Sequence, residues 1–247
     1  MVIAEIRNHL GEKLDFNYLE GDEKLADWIV LLGHGVTGNR KRPVIAETVE
    51  ALNNAGFSTL AFSFSGNGDS EGDFRDSCVS KGVKDLATVI AAVGDKKIVY
   101  IGHSMGAAIG VLTVAQGGRI DIFISLAGMV NTRNFAQAEF GEEKPDEGCM
   151  WDEESCPLSQ AFMDDLCQTI GTVIEQTDSV KVPWLLLHGS EDDVVSPQDS
   201  VDIKERLGNR VDHIVIEGAD HSFNDEQRKA QLNAVQNWLA LKVLSRS

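Results

Sequence analysis

Apolar runs of strand length alternate with helix-period segments along almost the whole chain of 247 residues. Residues 28–32, for example, are continuously apolar, which is typical of a strand that is covered on both faces. The helical pattern that follows ends at 53–56 in Asn-Asn-Ala-Gly, a common helix stop. This alternation predicts an α/β fold, with a mostly parallel sheet flanked by helices and joined by right-handed connections.

The pattern predicts an eight-stranded sheet within a single domain that spans residues 1–247. The first two strands form an antiparallel start, and all eight are predicted at 2–7, 14–19, 28–32, 57–64, 97–101, 120–126, 183–187 and 211–216. Helices are predicted at 41–55, 79–93, 104–116, 197–207 and 225–244. Residues 129–179 break the rhythm with prolines, dense acid and scattered aromatics. Because long irregular stretches are uncommon inside a compact domain, we expect residues 129–179 to form a lid or cap, and we call this segment the lid insertion.

A Gly-His-Ser-Met-Gly sequence at 102–106 lies between a predicted strand and an Ala/Gly-rich helix. A serine at such a strand-to-helix turn adopts strained backbone angles, and side chains beside it would collide with the adjoining backbone. The two glycines remove that collision. Ser104 is therefore the candidate nucleophile of an acyl-transfer reaction.

Two later loops supply the partners that a serine nucleophile needs. The hydroxyl requires a base to take its proton, and the base requires a carboxylate that orients it. Asp192 follows the predicted strand at 183–187, with Asp193 as the alternative acid, and His221 follows the last strand. Parallel strands bring their carboxyl ends to one sheet edge, so the order Ser, Asp, His predicts a catalytic triad there.

Four segments together resemble the α/β-hydrolase superfamily, and within it small lidded serine esterases of the feruloyl and cinnamoyl group. They are His-Gly-Val-Thr-Gly at 34–38, the 102–106 turn, the His-Gly-x-x-Asp-x-Val-Val pattern at 188–195 and Gly-Ala-Asp-His-Ser-Phe at 218–223. The resemblance implies catalytic Ser104, Asp192 and His221. It also implies an oxyanion hole made of the backbone N–H groups of Val36 and Met105.

The same region carries a second, competing pattern. Residues 33–38 fit Gly-x-Gly-x-x-Gly after a strand, which is also the dinucleotide-binding fingerprint. That fingerprint needs an acidic residue at the end of the next strand to bind the ribose. Residues 62–65 at that place are Phe-Ser-Phe-Ser, so we do not expect a nucleotide. We also expect no other cofactor and no metal.

Composition excludes several classes of partner. A net charge of −17 and a pI of about 4.6 argue against nucleic acid and against anionic membrane surfaces. The sequence has no apolar run long enough to span a membrane, its start does not resemble a secretory signal, and its four cysteines show no C-x-x-C pair. We expect a cytoplasmic protein with free thiols and a small-molecule ester as its partner.

The lid insertion provides candidates for an apolar substrate wall: Met129, Phe135, Trp151 and Phe162. Its many carboxylates are expected to disfavour anionic acyl groups, which favours short-to-medium neutral acyl or aryl esters. The last tyrosine is Tyr100, which argues against a specialist for hydroxycinnamates, since the family resemblance implies a polar lid residue, commonly a tyrosine, for the phenolic hydroxyl. A carboxylesterase is thus predicted. A serine aminopeptidase or amidase, an acyltransferase and a non-catalytic ligand-binding protein remain alternatives.

Overall fold

A mostly parallel sheet of seven strands forms the centre of the computed structural model, which describes residues 3–224 and 226–244. The strands are β1 (Phe16–Leu19), β2 (Trp28–Gly33), β3 (Ser58–Phe62), β4 (Lys97–His103), β5 (Ile122–Leu126), β6 (Trp184–Gly189) and β7 (Val211–Ile216). Their order is β1-β3-β2-β4-β5-β6-β7, and β1 alone runs antiparallel to its neighbour. The predicted fold class is confirmed.

The eighth predicted strand, at 2–7, is absent from the described residues. Arg7 makes only an isolated bridge with Lys13, and the chain reverses directly between them. The Asn8 side chain accepts hydrogen bonds from the Leu10 and Glu12 amides, at 3.0 Å each. The Leu14 amide also donates to the Ile6 carbonyl, at 2.9 Å, but among the described residues the pairing does not extend into a ladder. Residue 2 lies outside the described residues.

Helices cover both faces of the sheet, because successive side chains of each buried strand point to opposite sides. The long helices are α1 (Pro43–Asn54), α2 (Val79–Ala92), α3 (Met105–Ala115), α6 (Gln198–Leu207) and α7 (Glu226–Leu244). Apolar residues of α1 and α7 form one core with alternate strand residues, and those of α2, α3 and α6 form the other. The carboxyl ends of the parallel strands are left for loops.

The lid insertion between β5 and β6 is mostly helical rather than irregular. It contains α4 (Thr132–Phe140), α5 (Gln160–Asp164) continuing into a π-helix at Asp165–Ile170, and a 3₁₀ turn at Met150–Asp152. Its buried apolar residues belong to the same core as α2 and α3. The insertion is thereby packed onto the sheet domain. Among the described residues, no helix combines the length and the apolar character that crossing a bilayer requires.

Candidate active site

Ser104 lies at the sharp turn between β4 and α3, with φ 53° and ψ −119°. This left-handed φ is strained for a serine, and close packing holds it in place. A Cβ on Gly102 would lie 2.5 Å from the carbonyl carbon of Gly106, and one on Gly106 would lie 2.7 Å from the Gly33 oxygen. Only glycine fits both positions, as the sequence predicted. The Ser104 side chain consequently lies in a cleft above the sheet edge.

Asp192 and His221 meet at the ends of β6 and β7. The Nδ1 atom of His221 lies 2.8 Å from Oδ2 of Asp192. Since a carboxylate oxygen only accepts, Nδ1 carries the proton and Nε2 is left as the basic nitrogen. Asp192 is buried, whereas Asp193 is exposed, so the structure brings Asp192 and not its neighbour to the histidine.

Four hydrogen bonds fix the Asp192 carboxylate. Its Oδ1 accepts the backbone N–H groups of Val194 and Val195, at 3.0 and 2.9 Å. Its Oδ2 accepts His221 Nδ1 and also His188 Nε2, at 3.1 Å. Burial by itself would raise the pKa of Asp192, but these donors outweigh it and hold the pKa below the usual range. The carboxylate therefore stays ionised and oriented.

Ser104 and His221 both line the cleft, together with His103. Among the described residues the Ser104 hydroxyl and the His221 ring form no hydrogen bond, a contact that tightens in many enzymes only when substrate binds. The His103 ring donates from Nε2 to the His221 carbonyl, at 3.0 Å, and its centroid lies 4.8 Å from that of His221. Burial lowers the pKa of His103 to about 3, so His103 is a neutral brace for the His221 loop.

The loop after β2 lies against the candidate nucleophile. A Cβ on Gly35 would lie 2.8 Å from the Ser104 Cβ. His34 holds this loop by donating from Nδ1 to the Gly35 carbonyl, at 2.8 Å, and by accepting the Phe64 amide at Nε2, at 2.9 Å. Burial lowers the pKa of His34 to about 4, so the ring is neutral in this role.

Val36 and Met105 flank the nucleophile on these two segments. Val36 lines the cleft next to Gly35. Met105 is the first residue of α3, and a first-turn N–H has no partner within its own helix. The two predicted oxyanion donors therefore belong to segments that border Ser104.

The cleft has a volume of about 600 Å³ and is lined by both polar and apolar residues. Besides the residues already placed, its lining includes Arg42, Trp151, Glu153, Ser222, Asn224 and Arg228. Of the four lid residues expected to contact substrate, Trp151 alone lines the cleft. Its indole is 44% exposed and donates from Nε1 to Glu139, at 2.7 Å.

The other three predicted wall residues lie elsewhere. Met129, Phe135 and Phe162 are each at most 5% exposed and belong to the core that α2 and α3 share with the lid insertion. Phe162 packs on Phe140, with ring centroids 6.1 Å apart, and Phe140 packs on Trp151. Large apolar side chains on a helical lid turn toward the domain they cover, so the structure does not bring these three to the cleft.

Sequence reasoning places His188 in the hydrogen-bond network of its loop but does not name Asp192 as its partner, and it missed the two arginines in the cleft. His188 lies four residues before Asp192, but nothing in the sequence pattern shows that its ring reaches the Asp192 carboxylate. Arg42 and Arg228 lie in helical segments far apart in the chain, and no motif connects them. Within the described part of the chain, no cluster of three His, Cys, Asp or Glu side chains could hold a metal ion.

Comparison with known proteins identifies the class. The sequence model of the alpha/beta hydrolase family matches residues 29–235. The chain belongs to this family, which confirms the resemblance seen in its motifs.

Two known proteins are similar to this chain over most of its length. Bovine mitochondrial palmitoyl-protein thioesterase ABHD10 is 24% identical over 193 residues, covering 72% of this chain and 61% of the relative. The uncharacterized protein RP471 of Rickettsia prowazekii is 25% identical, covering 75% of this chain and 66% of the relative. The chain thus spans about three fifths to two thirds of the length of these relatives.

Two solved structures show the same fold over nearly the full chain. Est1E from Butyrivibrio proteoclasticus, solved with bound ferulic acid, aligns with a TM-score of 0.85 and 24% identity, covering 97% of this chain and 99% of Est1E. Mouse alpha/beta hydrolase domain-containing protein 10 aligns with a TM-score of 0.78 and 18% identity, covering 97% and 99%. At these identities the likeness establishes the fold.

Proposed function

We propose that this protein is a serine hydrolase that cleaves carboxylic esters through an acyl-enzyme on Ser104. The carrying observation is the Asp192–His221 hydrogen bond at the cleft that also contains the strained Ser104 turn. The named esterase and thioesterase relatives support a hydrolase. A short-to-medium acyl chain, predicted from the sequence, suits a cleft of about 600 Å³.

In the proposed reaction, Nε2 of His221 takes the Ser104 proton as the hydroxyl oxygen attacks the ester carbonyl. The carbonyl becomes an oxyanion, which the amides of Val36 and Met105 stabilise. Each donor of this kind contributes about 3 kcal/mol to the transition state. Asp192 stabilises the imidazolium that forms. His221 then protonates the leaving alcohol, and a water molecule repeats the sequence on the acyl-enzyme.

The test uses a fluorophosphonate probe and p-nitrophenyl butyrate. We expect the probe to label one site, and the label and the turnover to disappear in Ser104→Ala. Exposed Ser196, near the end of the loop before α6, gives the matched control, since Ser196→Ala removes the same atom from a residue outside the cleft lining. Turnover of Ser104→Ala at the wild-type rate would refute the proposal.

Thioester cleavage is a second candidate, because the ABHD10 relatives are named palmitoyl-protein thioesterases. Oxygen esters and thioesters share the acyl-enzyme route, so the assay compares butyryl and palmitoyl p-nitrophenyl esters with the matching thioesters. Aminoacyl anilides and acceptor alcohols in the same panel test the amidase and acyltransferase alternatives. Higher kcat/KM for anilides than for every ester would favour the amidase.

A further inference from the structure

The cleft at Ser104 is far more cationic than the chain as a whole. The protein carries a net charge of −17, yet two arginines, Arg42 and Arg228, line the cleft. Within the described residues, Glu153 is the one carboxylate in that lining. The other lid acids, from which the sequence predicted repulsion of anions, lie outside it; Glu139, for example, accepts the indole of Trp151.

Arg228 is a buried cation whose hydrogen bonds are incomplete. The residue is 6% exposed, and its guanidinium donates to the carbonyls of Phe223 and Ser222, at 3.1 and 2.6 Å. Its Nη1 is enclosed and has no acceptor in the described part of the chain. The charges of Glu47 and Asp220 act on the Arg228 guanidinium, but neither carboxylate forms an ion pair with it among the described residues. A buried guanidinium without a full set of acceptors is costly, and a negative charge in the adjoining cleft would offset part of that cost electrostatically.

Arg42 adds a second unusual charge. It occupies the N-cap of α1, where the helix dipole disfavours a cation, and the first turn of α1 contains no acid. Its side chain is exposed and donates to the Thr37 carbonyl, at 3.2 Å. The N-termini of α1 and α3 both border the cleft, which increases its positive potential. Two unrelated elements therefore place positive charge at the cleft, and the hydrogen bonds of both arginines go to backbone carbonyls rather than to carboxylates.

We propose that the substrate of Ser104 is an anionic ester, with a carboxylate that Arg228 binds together with Arg42. The planar fork of a guanidinium matches a carboxylate in shape and charge. The inference rests on the proposed function for the reaction, and it replaces the neutral substrate expected from the sequence. The carboxylate belongs either to the acyl part or to the leaving group, and the assay separates these two.

Two matched substrate pairs test the charge. For the acyl part, p-nitrophenyl hydrogen adipate is compared with the p-nitrophenyl ester of an equally long acid that ends in an isopropyl group. For the leaving group, the butyrate ester of para-hydroxybenzoate is compared with that of para-hydroxybenzamide. The readout is the anionic-to-neutral ratio of kcat/KM, which cancels any general loss of activity in a variant.

We expect the wild-type protein to prefer the anionic member of at least one pair by about tenfold, the size of one charged hydrogen bond. Arg228→Met should abolish this preference, and Arg42→Met should reduce it severalfold. Arg228→Lys, which keeps the charge, should retain part of it. Glu153→Gln removes the opposing carboxylate and should raise the ratio. The control is Arg206→Met, because Arg206 pairs with Asp178 away from the cleft and its loss changes the net charge equally.

Binding provides a readout that does not need turnover. In Ser104→Ala, monomethyl adipate should raise the Tm and dimethyl adipate should not, and the difference should vanish when Arg228→Met is added. Ratios unaffected by both arginine substitutions, with no selective Tm shift, overturn the inference even where neutral esters are hydrolysed at Ser104. Loss of the proposed function is recognised separately, as absence of probe labelling and of hydrolysis for all four esters.

Discussion

Replacing Asp192 by asparagine should lower kcat and stability more than the small change in side-chain shape indicates, because the two carboxylate oxygens have different neighbours. The Oδ1 atom accepts two backbone N–H groups, those of Val194 and Val195. An amide NH₂ cannot accept a hydrogen bond, so in Asp192→Asn the oxygen must stay on the Oδ1 side. The NH₂ group is then forced into the Oδ2 position, facing His221 and His188.

This orientation exchanges the protonated and unprotonated ring nitrogens of His221. An NH₂ donor 2.8 Å from His221 Nδ1 makes Nδ1 the acceptor and moves the ring proton to Nε2. With Nε2 protonated, the imidazole cannot take the proton of Ser104. A wrong tautomer of this kind lowers kcat by about 10⁴ in a serine hydrolase, or about 5 kcal/mol of activation free energy. The NH₂ group also opposes the Nε2–H of His188, which should lower the free energy of unfolding by about 1–3 kcal/mol.

The measurement is kcat for p-nitrophenyl butyrate in Asp192→Asn, with urea unfolding at the same pH. Asp193→Asn is the matched control, since this neighbouring carboxylate is exposed, and it should retain wild-type activity. Asp192→Ala lacks the NH₂ group and leaves the tautomer free, so it should be no less active than Asp192→Asn. If Asp192→Asn kept kcat within tenfold of wild type, the assignment of donors and acceptors around this carboxylate would be refuted.

Three further predictions concern stability and the cleft. Burial lowers the pKa of His34 from 6.5 to about 4, so the unfolded chain binds more protons than the folded one in this range. The free energy of unfolding should therefore fall by about 3 kcal/mol as the pH is lowered from 6.5 to 4. A urea midpoint in His34→Gln that depends on pH as strongly as in wild type would contradict this. Gly102→Ala should abolish activity and lower the Tm, because its Cβ meets backbone at 2.5 Å, whereas Gly94→Ala, with no atom within 4 Å but φ +64°, should cost only about 1 kcal/mol. Trp151→Ala should raise KM with little change in Tm, and Phe162→Ala should lose about 3–5 kcal/mol of stability with KM unchanged; the reverse pattern would place Phe162 in the cleft.

Much of the architecture could be predicted because buried parallel strands have a strong local signature. Strands β2 to β7 each overlap a predicted run and extend at most two residues beyond it, since continuous apolar sequence is required for a strand covered on both faces. The antiparallel start was harder to predict. Residues 2–7 include β-branched side chains, but among the described residues only the isolated bridge at Arg7 forms, and how far a pairing extends depends on tertiary contacts that a pattern does not reveal.

The lid insertion shows the same limit at the level of packing. Its position was predicted from the broken rhythm, and its aromatics were expected to form an apolar wall for the substrate. Which of them faces the cleft depends on how α4 and α5 turn toward the sheet and on the 3₁₀ turn that carries Trp151. Phe162 turned inward and Trp151 outward. A list of aromatics does not carry that information, because helical periodicity over five to nine residues fits several orientations.

The sequence by itself determined the fold class and the order of Ser104, Asp192 and His221, because strand burial and tight turns impose local rules on residue type. Only the tertiary structure decided the charge of the cleft. Charge at a site depends on which side chains converge in space, and Coulomb interactions act over distance irrespective of separation along the chain. An acidic chain with net charge −17 can therefore enclose a pocket lined by Arg42 and Arg228.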